Sequence, residues 1–91
     1  MAYPNPSAGA PIVMHVMGGP FDKVKITIYT ISMRKIYEAT YTGNGQPTMD
    51  IPWDLKDSYS RVTANGLYYV LVESYIHGTD HRSVQKVLIL R

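Results

Sequence analysis

From Ile12 to the end of the chain, apolar and polar residues repeat with a period of two, the spacing that sends successive side chains to opposite faces of an extended strand. Ile12, Met14 and Val16 share one face and Val13, His15 and Met17 the other. Val24, Ile26 and Ile28 alternate with Lys25, Thr27 and Tyr29, the clearest half-buried strand in the chain. Met49, Ile51 and Trp53 alternate with Asp50 and Pro52, and two longer runs close the sequence, Leu67 to Ile76 and Val84 to Leu90. Between Ile36 and Thr42 the alternation slips, because Ile36 and Ala39 cannot share a face without a bulge. Nowhere does a helical period emerge. About seven short strands at intervals of roughly ten residues predict an all-β antiparallel sandwich.

The punctuation agrees with that reading. Tyr3-Pro4-Asn5-Pro6 predicts an extended lead-in at a sheet edge, and residues 7–11 a loop of small residues. Gly18-Gly19-Pro20 ends one strand, Ser32-Met33-Arg34 is a turn, and Gly43 to Pro47 is a loop. Trp53 to Tyr69 is the stretch around which the rest is organised. Its tryptophan is expected in the core with the indole N–H on a partner, Asp54 and Asp57 are expected to cap turns, and Asn65-Gly66 reads as a tight reversal. His77 to Ser83 reads as a polar hairpin loop.

One pattern does not fit a plain two-layer fold. In the run after Gly66, Leu67, Tyr69 and Leu71 lie on one face while Tyr68, Val70 and Val72 lie on the other, and Val87 and Ile89 alternate with Leu88 and Leu90. Both faces of both last strands are apolar. One face of a sandwich sheet normally meets water, so Leu67, Tyr69, Leu71, Leu88 and Leu90 are candidates for an interaction surface. A neighbouring domain, a second copy, a fibre contact or loops of the same chain would each cover them.

Composition narrows the function classes. Ninety-one residues, 45% of them hydrophobic, suit one globular domain over residues 1–91. The net charge is +2 with scattered Lys and Arg, which disfavours a nucleic-acid groove. There is no cysteine for disulfides or thiolate metal sites, and no apolar run long enough for a membrane span.

Candidate chemistry is sparse. His77, Asp80 and His81 in HGTDH have zinc-like spacing only if a helix holds them, and a solvated hairpin tip is the simpler reading. Asp54, Asp57 and Asn65 offer hard oxygens for calcium, against which turn capping is stronger because their spacing matches no calcium loop. Ser58 and Ser60 have no histidine near them in sequence for nucleophilic catalysis. The eight tyrosines can make a stacking platform for sugar rings, or simply suit strands, the reading preferred for Tyr29, Tyr37 and Tyr41. No cofactor, metal or catalytic residue is expected.

Five segments in order carry a resemblance: YPNP, VKITIYTISMRKI, WDLKD, ANGLYYVLVES and the final KVLILR. Together they resemble the FlgD-type immunoglobulin-like domain and, less closely, the C-terminal sorting domains of type IX secretion cargo. That resemblance implies an immunoglobulin-like or fibronectin III-like sandwich, with Trp53, Asp54, Asn65, Gly66 and Tyr68 as structural motif residues. Tyr68 is implied to pack with its hydroxyl on the backbone, comparable to a tyrosine corner. It further implies a non-catalytic, C-terminal module of a larger secreted or cell-surface bacterial protein, so that the lack of a signal peptide in this chain carries no weight. Its expected partners are proteins: domains of the parent, a secretion or assembly partner, or a second copy. A carbohydrate- or calcium-binding module is the alternative. The chain departs from the family pattern at Thr30, Met33 and Leu55, where Asp, Gly and Gly are usual, and the loop Ser58-Tyr59-Ser60 lacks the usual glycine. Turns of a different type are expected at Met33 and Leu55, since bulky residues disfavour positive φ.

Overall fold

The computed structural model describes residues 2–3, 11–43 and 45–90. Seven strands run through these residues in chain order: β1 (Ala2–Tyr3), β2 (Ile12–Met17), β3 (Lys23–Thr30), β4 (Lys35–Thr42), β5 (Thr48–Trp53), β6 (Gly66–Ile76) and β7 (Thr79–Ile89). They form two antiparallel sheets, β1-β2-β5 and β4-β3-β6-β7. This is the fibronectin III-like arrangement of an immunoglobulin-like sandwich. Ala2–Tyr3 sits at a sheet edge, as the lead-in reading expects. The rest of that lead-in, residues 4–6, and residues 7–10 of the following loop lie outside the described residues.

The alternating pattern decides what is buried. Ile12, Met14 and Val16 from β2 face Met49, Ile51 and Trp53 from β5, and all six are buried. From the other sheet, Val24, Ile26 and Ile28 meet Val70, Val72, Val87 and Ile89 in the same cluster. The slip in β4 is a bulge: Ile28 pairs with Tyr37 while Tyr29 pairs with Lys35, which leaves Ile36 as the extra residue.

Two sequence expectations are corrected. His77 to Ser83 is not a loop, because the β6–β7 hairpin closes through His77 and Gly78 alone, at φ 50° and 80°, and Ile76 pairs with Thr79. Both residues need positive φ in such a reversal, and the polar run that follows is strand whose faces are exposed. Asn65-Gly66 is not a hairpin turn either. β5 and β6 lie in different sheets, so the chain crosses between layers there, and Gly66 is already the first residue of β6 at φ 147°.

At the far end of the sandwich, Phe21 and Asp22 tie the loops together. The Asp22 N–H donates to Tyr75 and its carbonyl accepts from Gly43. Gly43 has no room for a side chain, since a Cβ there would sit 1.6 Å from the Phe21 carbonyl oxygen.

Candidate interaction surface

The crossover from β5 to β6 is built from its own side chains. Trp53 is buried and its indole Nε1 donates to the Lys56 carbonyl at 2.9 Å. Asp54 accepts from the Lys56 N–H, and Asp57 accepts from the N–H groups of Tyr59 and Arg61 while pairing with the Arg61 guanidinium. Those bonds, the Arg61 N–H first, hold the Asp57 carboxyl below its ordinary pKa. Thr63 is buried and bonds the Leu55 carbonyl through both its N–H and its hydroxyl. Tyr68 then closes the corner, its hydroxyl donating to the Ala64 carbonyl at 2.7 Å.

The turns at Met33 and Leu55 have not changed type, contrary to expectation. Met33 stands at φ 65°, Leu55 at φ 64° and Ser60 at φ 62°, all in the region that favours glycine. For Leu55 the reason is burial, since the residue is 1% exposed and the backbone conformation aims its side chain into the core. Met33 has no such reward, because it is 63% exposed.

Met33 belongs to a second feature, on the outer face of the four-stranded sheet. The register places Thr27, Leu71 and Val84 in one row across β3, β6 and β7, and Tyr29, Tyr69 and Lys86 in the next. The turn after β3, closed by the Met33 N–H on the Thr30 carbonyl, adds Ile31 and Met33 at the lower end. Tyr29, Ile31, Met33, Tyr69, Leu71 and Val84 line an apolar groove of about 470 Å3.

Of the residues singled out in the sequence, Leu67, Tyr69, Leu71 and Leu88 share this outer face, with Leu67 opposite Leu88. Leu90 lies just past β7 and is exposed. Ile31, Met33, Tyr29 and Val84 were missed as members of the surface. Val84 has the parity of Leu88, which was a usable signal; Ile31 and Met33 lie in a turn, where strand parity says nothing. No loop among the described residues covers the patch, since Val84 and Ile31 are 63% and 66% exposed.

The other candidates separate. His77 sits in the hairpin turn, Asp80 pairs with Arg82 on the outer face, and His81 lies opposite Ser74, which points inward. Among the described residues, no three His, Asp or Glu side chains converge on a metal-sized space. The Asp54 and Asp57 carboxylates are engaged by the loop's own N–H groups. Tyr37 and Tyr41 pack against the core, and burial pushes the Tyr37 hydroxyl pKa up.

No family model and no curated protein matches this chain. Solved structures do. Residues spanning 99% of the chain superpose on 9% of dimeric latent PorU from Porphyromonas gingivalis, with a TM-score of 0.78 and 19% identity. The fold is shared with FlgD. In the protein from P. aeruginosa, 59% of that chain matches 86% of this one, at a TM-score of 0.69 and 16% identity. PorZ, an essential surface component of the P. gingivalis type IX secretion system, matches over the whole chain and 11% of its own length, at 0.68 and 18%. This chain thus spans about a tenth of PorU and PorZ, and its immunoglobulin-like sandwich is an architecture that much longer proteins carry as one part.

Proposed function

We propose that this chain is a non-catalytic accessory module, C-terminal in a larger secreted or cell-surface bacterial protein, and that it acts by protein–protein contact in sorting, anchoring or assembly. The observation that carries this reading is the uncovered apolar face of the four-stranded sheet, because an exposed groove flanked by polar residues marks a contact site more often than chance. The fold shared with parts of PorU and PorZ supports a secretion setting. The well-bonded crossover loop supports a structural use of Asp54 and Asp57 over a ligand-binding one.

The test is a fusion of the chain to the C-terminus of a monomeric periplasmic reporter, in a bacterium with a type IX secretion system. Surface display of the reporter, lost on Leu71→Lys with the fold retained, supports the sorting form of this reading. A reporter that stays periplasmic with the intact domain removes sorting and leaves anchoring or assembly within the parent protein.

A further inference from the structure

A cleft of different chemistry opens where the start of β4 meets the crossover loop. Ser58 joins its two walls, donating to the Ile36 carbonyl from both its N–H and its hydroxyl, at 2.9 and 3.1 Å. Lys35, Ser58 and Tyr59 line one half, of about 380 Å3, and Thr30, Val62 and Tyr68 the other, of about 430 Å3. Arg34, Ile36, Asp57 and Arg61 line both halves, so the cleft is continuous.

Three cations thus face one carboxylate, and that carboxylate is spent. Asp57 accepts from the N–H groups of Tyr59 and Arg61 and from the Arg61 Nε, and its side chain is only 18% exposed. Arg61 is 72% exposed, lies 5.1 Å from the centre of the Tyr59 ring and pairs through Nε alone, which leaves its two terminal amino groups as donors. Arg34 is held by its backbone: its carbonyl accepts from the Thr30 N–H at 2.9 Å and its own N–H donates to the Thr30 hydroxyl at 3.2 Å. Among the described residues nothing bonds its guanidinium, a planar fork whose parallel donors match a carboxylate.

Apolar surface accompanies these charges. Tyr59 and Val62 are 79% and 67% exposed, and arginine beside tyrosine and aliphatic side chains is the composition of protein-contact hot spots. A small inorganic anion leaves both side chains in water. A polyanion such as a nucleic acid calls for a long track of free cations, whereas Lys25 and Arg82 are already paired, with Glu38 and Glu73. Resting on the reading of the chain as a protein-contact module, we infer that this cleft binds an acidic peptide segment of a partner protein. One carboxylate sits on the Arg34 guanidinium, a second on the Arg61 amino groups, and an apolar side chain between them packs on Tyr59 and Val62.

The test is a nuclear magnetic resonance titration of the intact, isotope-labelled chain with a blocked hexapeptide of alternating glutamate and leucine. Amide shifts are expected to be confined to residues 30–36 and 57–64 and to saturate with a dissociation constant of about 0.1–1 mM. The peptide with glutamine in place of glutamate should bind roughly tenfold more weakly. Arg34→Gln should weaken binding about fivefold and Arg34→Lys restore only part of it, because lysine keeps the charge without the fork. Since the Arg34 side chain holds nothing else in place, circular dichroism should not change. Lys23→Gln removes the same charge from the other end of β3, outside the cleft, and should leave binding as it was. Absence of saturable shifts in the cleft overturns the inference, as does equal weakening by Arg34→Gln and Lys23→Gln. Inorganic phosphate that reproduces the same shifts at the same concentrations also overturns it, leaving a small-anion site. Display of the fused reporter and its loss on Leu71→Lys are read at the other surface, so failure of the cleft and failure of the accessory role are told apart.

Discussion

Trp53 and Tyr68 meet edge to face, ring centroids 6.0 Å apart and planes at 71°, and through that contact the last residue of β5 in one sheet touches the third residue of β6 in the other. Each ring also spends its polar atom on the chain between them, the indole on Lys56 and the phenol on Ala64. Aromatic packing and the hydrogen bonds of the crossover therefore stabilise one another, which fixes how the two layers are joined.

Tyr68→Phe keeps the ring and removes the part-buried hydrogen bond from the Tyr68 hydroxyl to the Ala64 carbonyl. The expected loss is about 1–2 kcal/mol in urea unfolding, followed by the fluorescence of the single tryptophan. An unchanged midpoint would show that the Ala64 carbonyl finds another donor.

Gly43→Ala should be far more costly than its size implies. A Cβ there would meet the Phe21 backbone at 1.6 Å, and backbone gives way less readily than a flexible side chain. A loss of roughly 2–4 kcal/mol is expected, and the melting temperature is a sufficient readout.

The two hydrophobic residues at positive φ should respond in opposite directions to the same replacement. Met33→Gly relieves strain at an exposed position and is expected to stabilise by roughly 0.5–1 kcal/mol. Leu55→Gly relieves similar strain but empties a buried site, with a net loss of about 2–4 kcal/mol. Denaturation midpoints of the two variants with the same sign would refute this account.

Asp57 gives the chain an acid limb. Its pKa lies below that of the unfolded chain, so its contribution is present above the unfolded value and disappears as pH falls through the folded one. Asp57→Asn should lower stability near neutral pH, with the difference from wild type closing below about pH 4. Thermal melts of both proteins at several pH values check this.

How legible all of this was depends on range. Parity along each strand is a local property, and it is enough to assign Ile12, Val24, Ile51 and Val70 to the core, where all four are buried. The bulge near Ile36 was legible for the same reason. The partner of a reversal was not: Asn65-Gly66 has hairpin chemistry, but whether the next strand returns to the same sheet is decided by packing tens of residues away. His77 taking positive φ shifted the real turn to a dipeptide that the polar residues after it concealed. The groove was half legible, since Leu71 and Tyr69 announce themselves by parity while Ile31 and Met33 arrive from a turn.

The pairing of β2 with β5 sets an order in time. Its ladder joins His15 to Asp50 and Ile12 to Trp53, contacts that close loops of tens of residues, whereas β6 and β7 close through a two-residue turn. The β6–β7 hairpin, which bears part of the apolar face, can therefore form locally, while each sheet waits on a distant pairing, β2 with β5 in one and β3 with β6 in the other, as expected of a topology dominated by distant contacts that folds in milliseconds to seconds. Until those pairings close, the inner face of the hairpin is as bare as the outer one, and a chain in transit would show partners two greasy sides where the finished domain shows one.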